Sequence, residues 1–408
     1  MKPTTLSALL EPGAALVVMG PGGVGKTTVA AALGLAGAAA QLSTLVLTVD
    51  PARRLRDALG LGPLSPAPTR LDPRRLARAG IGPGGRLFAM AFDARQAWDA
   101  MLERYVSDVA VRRRILNNSF YQGLSGRFAG AEACAAFAIL YDLYASRRFD
   151  LAVVDTPPAA DALELIDAPA RLLRLFDSTT ARWLFTSASS RRAGVPGLAA
   201  KAARFVAGEL ERFAGTKVLG AVADFFAALS GASESIAALL RKTQALLRSD
   251  ALRLVLVTQP NEATLRQTRV LCASARQRGL RVGAVVVNRI GDLGTARALA
   301  AATGDEPGFV QGFGAARLRR LVSSALGRSP GLEALTHYLE AFSRQERREL
   351  DRLKEFARAL GPGIAVFALP ELPLPVGNLK ALAQMLSSVY PAAPATRAKR
   401  GAAAARGS

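Results

Sequence analysis

Leu16-Val17-Val18-Met19-Gly20-Pro21-Gly22-Gly23-Val24-Gly25-Lys26-Thr27-Thr28 decides how this chain is read. Its first four residues are an apolar run of strand character, and a stretch rich in Ala, Val and Leu, from Thr28 to Ala40, has helical character. Between them, Gly20, Gly25, Lys26 and Thr27 satisfy the pattern of glycine, four residues, then Gly-Lys-Ser/Thr. A glycine-rich turn between strand and helix offers an anion its backbone N–H groups and the positive end of the helix. Gly22, Gly23, Val24, Gly25, Lys26, Thr27 and Thr28 are therefore expected to cradle nucleotide phosphates. Lys26 would reach the β- and γ-phosphates, and the Thr27 hydroxyl would bind Mg2+.

Further runs share the apolar, β-branched signature of a sheet buried on both faces. They are Thr44 to Val49, Leu151 to Val154, Leu254 to Val257, Val282 to Val287 and Ile364 to Leu369. Helical segments separate them, so the expected fold is α/β, a mostly parallel sheet with helices on both faces. Two long regions break the alternation: Ala94 to Tyr144, and Pro169 to Asp250, which reads as wholly helical. In the second, Val218, Leu219, Val222, Phe225, Phe226 and Leu229 recur at spacings of three and four. Periodicity alone leaves two readings open, an ordinary helical core and an apolar face offered to a partner. Residues 61–85, rich in Pro and Gly, read as a surface excursion. Arg344 to Leu360 read as a charged helix stopped by Gly361-Pro362, and Pro391 to Ser408 as a disordered basic tail.

Composition narrows the setting. Half of the 408 residues are hydrophobic, yet no unbroken apolar stretch of about 20 residues occurs. Met1-Lys2-Pro3-Thr4 lacks the basic-then-apolar order of a secretory signal, and Cys134 and Cys272 offer neither a disulfide framework nor a CxxC pair. A cytoplasmic location is expected. The net charge of +21 comes from arginines dispersed along the chain without interleaved aromatics, which favours a solvated surface over a nucleic-acid interface. Attraction to anionic lipid headgroups at a membrane periphery stays open.

Two strand-end aspartates complete the expected nucleotide site. Asp155 follows Leu151-Ala152-Val153-Val154, where a carboxylate can hold Mg2+ through its water shell. Asp50 follows Leu45 to Val49, where it can face the γ-phosphate, approach the metal and orient the attacking water. Asn288, closing Val285-Val286-Val287-Asn288-Arg289, reads either as an adenine-edge contact or as a turn residue.

The Gly-Gly-Val-Gly-Lys-Thr-Thr loop, Asp50-Pro51-Ala52 and Asp155-Thr156-Pro157-Pro158 together resemble the ArsA-type ATPases. These include arsenite-pump ATPases and ATPases that deliver tail-anchored membrane proteins, within the deviant-Walker class that also holds MinD and ParA. Tyr121-Gln122-Gly123-Leu124-Ser125-Gly126, Leu163 through Ile166-Asp167-Ala168-Pro169, and Leu256-Val257-Thr258-Gln259-Pro260 are most similar to a bacterial, ArsA-like branch. The resemblance spans most of residues 14–385. It implies a P-loop NTPase fold with an inserted helical subdomain, ATP and Mg2+ as cofactors, and Lys26 and Asp50 as catalytic residues. It further implies Asp155 on the Mg2+ side, Asn288 reading adenine, and a dimer around a hydrophobic membrane-protein client. On that basis residues 1–168 form the first part of the ATPase core, with the helical segment at about 94–144. Residues 169–250 form the helical subdomain, 251–390 complete the core, and 391–408 are the tail.

The chain also departs from the pattern. Pro21 stands where the family usually carries a lysine that crosses the dimer interface, and proline cannot imitate it. Arg53-Arg54 replace the usual His-Ser, and the arsenite-binding cysteines and the zinc CxxC are missing. The expected function is ATP-driven dimer closure around a hydrophobic client. The rivals are a ParA- or MinD-like switch on DNA or membrane, and a catalytically weak ATP-binding subunit. In the last case the partner would be a paralogue that keeps the lysine.

Overall fold

In the computed structural model, residues 6–49, 54–119, 121–122, 129–157, 166–171, 173–174, 224–225, 228, 233–290, 341, 348–349, 351–361, 363–371, 378–387 and 390–393 are described. The strands are β1 (Ala14–Met19), β2 (Ser43–Thr48), β3 (Thr69–Arg70), β4 (Arg86–Ala91), β5 (Leu151–Asp155), β6 (Leu252–Thr258), β7 (Val282–Ile290), β8 (Ala365–Pro370) and β9 (Tyr390–Ala393). The helices are α1 (Lys26–Ala39), α2 (Arg54–Leu59), α3 (Pro73–Arg78), α4 (Ala94–Tyr105), α5 (Val109–Leu116), α6 (Ala129–Ala145), α7 (Ser233–Leu247), α8 (Glu262–Gln277) and α9 (Leu379–Ser387). All strands join one sheet in the order β3-β4-β2-β5-β1-β6-β7-β8-β9. The run from β4 to β8 is parallel, and β3 and β9 pair antiparallel at its two edges. Every strand run expected from the sequence is present.

The sheet is apolar on both faces because alternate residues serve two separate cores. Along β1, Ala15, Val17 and Met19 enter one core, while Ala14, Leu16 and Val18 enter the other. Burying a side chain such as Leu or Val contributes about 1.5–3 kcal/mol, so a strand with both faces covered is stabilised at nearly every position. Helices α1, α2, α3 and α9 cover the face reached by Leu16 and Val18. Helices α4, α6, α7 and α8 cover the opposite face, together with a helix over residues 351–360 that contributes Leu353, Phe356 and Leu360.

Three parts of the chain fold further than the sequence reading anticipates. The excursion at 61–85 contains β3 and α3, and it buries Leu71 and Leu76. Asp72 caps α3 by accepting a hydrogen bond from Arg74 N at 2.8 Å, and Pro73 sits in the first turn, where a missing N–H does no harm. β4, only six residues long between the Gly-rich stretch and the next helix, pairs in parallel with β2. The expected tail begins at Pro391, but residues 391–393 belong to β9; 394–408 lie outside the described residues. So does most of the helical region 169–250. Its last helix, α7, inserts Ile236 and Leu240 into the sheet-facing core.

Helix α1 lies unusually close to the sheet. A Cβ at Gly37 would stand 2.5 Å from Thr44 Oγ1 and 2.7 Å from Leu151 Cδ2, closer than real contacts allow. Gly37→Val is therefore expected to destabilise the fold by about 2 kcal/mol or more through overpacking. Val270, 66% exposed on α8, should tolerate Val270→Lys within about 0.5 kcal/mol. Thermal melts of the two variants check the contrast.

Two polar ties cross the helical layer. Tyr105 Oη donates to Asp142 at 2.9 Å, linking α4 to α6, and Tyr121 Oη donates to Asp99 at 2.7 Å. Burial first, then the Asp142 hydrogen bond, pushes the Tyr105 hydroxyl from 10 up to about 12. Burial and Asp99 push Tyr121 well above the usual tyrosine value. A raised value means that the folded state holds its proton more tightly. The stabilisation is thus complete below the ordinary value of 10 and is lost as pH climbs toward about 12. Tyr105→Phe is expected to cost about 1 kcal/mol at neutral pH and to flatten that alkaline decline, as read by denaturant titrations at several pH values.

Candidate phosphate-binding site

Because the central strands run parallel, the carboxyl ends of β2, β5, β1, β6 and β7 converge on one edge of the sheet, where such folds bind their ligands. The loop after β1 lies in that crevice and leads directly into α1. Pro21 is buried, while Gly22 and Gly23 are exposed with open space where a Cβ would stand. Gly25 is the N-cap of α1 with φ 95° and ψ 27°, a left-handed conformation that strains other residues. No side chain caps this helix start, so the amides of its first turn face the crevice without a competing cap. Lys26 and Thr27 are only 7% and 8% exposed, and Lys26 Nζ donates to Pro21 O at 3.0 Å.

Asp155 ends β5 and is fully buried. Its Oδ2 accepts from Thr48 Oγ1 at 3.0 Å, and its carbonyl accepts from Val49 N at 2.9 Å. Thr156 Oγ1 donates to Val18 O at 2.8 Å. These bonds fasten the ends of β2, β5 and β1 together, so the carboxylate is held beside the strand that launches the phosphate loop. Asp50, the residue after Val49, lies outside the described residues.

Asn288 lies within β7 rather than in a turn, and it is 7% exposed. Its Nδ2 donates to Val24 O at 2.8 Å, so the residue expected at the adenine edge touches the phosphate loop itself. Gln259, following β6, donates through Nε2 to Gly23 O at 3.3 Å. The sequence reading assigns no role to Thr48, Thr156 or Gln259. Their only sequence signal is a polar residue at the end of an apolar strand, which is common in turns as well.

These residues fit a nucleotide with its metal ion. The open side of Gly22 and Gly23, the uncapped first turn of α1 and the lysine at its start form a cradle for an anion. The Thr27 hydroxyl and the Asp155 carboxylate are hard oxygen donors of the kind Mg2+ prefers, beside phosphate and water. Among the described residues, no group of three or more His, Cys, Asp or Glu could hold a metal by itself. No helix among them is long and apolar enough to cross a membrane.

Comparison with known proteins agrees with this geometry. Residues 14–293, well over half the chain, match the family described as anion-transporting ATPase. An uncharacterized protein of Streptomyces coelicolor is 35% identical over 161 residues, covering 39% of this chain and 38% of its own. The ATPase GET3 of Malassezia globosa is 27% identical over 175 residues, covering 42% and 47%. The ATPase get3 of Schizosaccharomyces japonicus is 30% identical over 173 residues, covering 41% and 48%. The chain thus spans less than half the length of these relatives. With its P-loop sheet, its uncapped phosphate cradle and the matched span, this chain belongs to the anion-transporting ATPase family.

Proposed function

We propose that this chain is an ATPase that uses Mg-ATP to drive closure of a dimer around a hydrophobic client, such as a segment of a membrane protein. The observation that carries the reading is the cradle at residues 20–28, with a buried lysine at its mouth and a buried aspartate at the neighbouring strand end. The names of the relatives, which include GET3 ATPases, support the same chemistry. In this reading, the amides of Gly22 to Thr28 bind the phosphates, and Lys26 turns from Pro21 O toward the β- and γ-phosphates. Thr27 and Asp155 hold Mg2+, which when bound neutralises developing phosphoryl charge. Asp50 would orient the attacking water and, as a hard oxygen donor, could serve the metal. Asn288 contributes to the adenine side through the amide atoms that its bond to Val24 leaves available.

Lys26→Ala is expected to weaken ATP binding about tenfold to a hundredfold, the loss of one charge-assisted contact. Asp50→Asn should keep binding and slow single-turnover hydrolysis at least about a hundredfold. Nucleotide titration and a rapid-quench assay measure the two effects, and unchanged affinity in the lysine variant would sink the proposal.

Pro21 favours a more specific version. Its buried ring replaces the lysine with which the resembling ATPases reach across a dimer, so the chain can receive such a lysine but cannot donate one. We therefore propose that the productive assembly is a heterodimer with a paralogous ATPase. Alone with Mg-ATP the chain should hydrolyse slowly, and adding a lysine-bearing paralogue should raise turnover and give a heterodimer by native mass. A homodimer with rapid turnover would count against it.

A further inference from the structure

The phosphate loop is gripped from behind by two side-chain amides. Asn288 Nδ2 donates to Val24 O at 2.8 Å in a buried contact, and Gln259 Nε2 donates to Gly23 O at 3.3 Å. The Gln259 amide is itself oriented, because its Oε1 accepts from Asn261 Nδ2 at 3.4 Å. Asn261 in turn caps α8 by accepting from Thr264 N at 3.0 Å. Lys26 Nζ holds a third carbonyl, that of Pro21, at 3.0 Å. A concavity that binds an anion through successive N–H groups needs its carbonyls turned away from the ligand. Holding the carbonyls of Gly23 and Val24 from the sheet side does this before any ligand arrives.

Regular alternation along β7 brings Asn288 to this position, and the strand departs from regular pairing just beyond it. Pairing with β8 shifts register between Val287 and Ile290, and between them Arg289 adopts φ 60°, a left-handed conformation uncommon for a residue with a side chain. Val286 faces the core that contains α1, and Asn288 continues on that side, beneath the helix start. After the irregularity, Ile290 falls into the opposite core, with Val285 and Val287. The fit is tight: a Cβ on Gly25 would collide with Asn288 Nδ2.

We infer that Asn288 and Gln259 are positioning residues that preorganise the phosphate loop by holding the carbonyls of Val24 and Gly23. This rests on the nucleotide-binding reading above. Asn288 thus contributes to phosphate affinity independently of any base it touches.

The probes are Mg-ATP and Mg-tripolyphosphate, which has the phosphates and no base, titrated into the full chain. Wild type should bind both. Failure to bind Mg-ATP would overturn the nucleotide-binding reading itself, whereas binding of Mg-ATP without tripolyphosphate would overturn the preorganised loop. Asn288→Ala is expected to weaken both ligands by about fivefold to tenfold, the value of one buried hydrogen bond. If it weakens ATP alone and leaves tripolyphosphate unchanged, Asn288 serves only the base and the inference is wrong. Should Asn288→Ala melt at a much lower temperature than wild type, Gln259→Ala, at a half-buried position, decides the matter. It should weaken tripolyphosphate about twofold to threefold, and no change there refutes the latch.

Discussion

The crevice depends on close approach between the phosphate loop and the ends of β6 and β7. A Cβ at Gly20 would strike Val257 O, and one at Gly25 would strike Asn288 Nδ2. Glycine is thus required at both ends of the loop by what stands behind it, in addition to the ligand expected in front. Interiors pack at the density of organic crystals, so a displacement of even one methyl group at either point would move the loop as a body. The N-terminus of α1, the Lys26 side chain and the Thr27 hydroxyl all inherit their places from this contact.

The same economy of space governs α1 itself. Gly37 lets the helix press against Thr44 of β2 and Leu151 of β5, the two strands whose ends carry Thr48 and Asp155. The floor of the site and its helix therefore share one packing arrangement. On the far face of the sheet the helices are joined differently, with tyrosine hydroxyls bonded to Asp142 and Asp99 in a mostly apolar layer. Partly buried polar pairs of this kind favour one arrangement of helices, because a slip would exchange each bond for hydration in a mostly apolar layer.

Much of this could be read from the chain, for physical reasons particular to each element. β1, β2, β5, β6, β7 and β8 each carry a central apolar run because helices cover both faces, so these runs stand out from the helical segments around them. β4 was harder to see: Arg86-Leu87-Phe88-Ala89-Met90-Ala91 mixes exposed, half-buried and buried positions and follows a Gly-rich turn. β3 and β9 have two and four residues, too few for any period to show. In the site, Lys26, Thr27 and Asp155 announce themselves by motif and strand-end position. The contact of Asn288 with Val24 cannot be read that way, because it depends on β7 lying one strand away from β1 in the sheet, a placement that no local pattern encodes.

The bond between Asn288 and Val24 joins positions 264 residues apart. The nine residues of the loop leave the ribosome early, but the strand that shapes them follows only after most of the chain has been made. Contacts of such separation form late, once the loop-closure entropy has been overcome by the rest of the sheet. On the inferred latch, a nascent chain ending before β7 carries the whole phosphate motif without the support that fixes its carbonyls. Nucleotide affinity would then report completion of the sheet, and a half-made chain would pass through synthesis without holding ATP tightly.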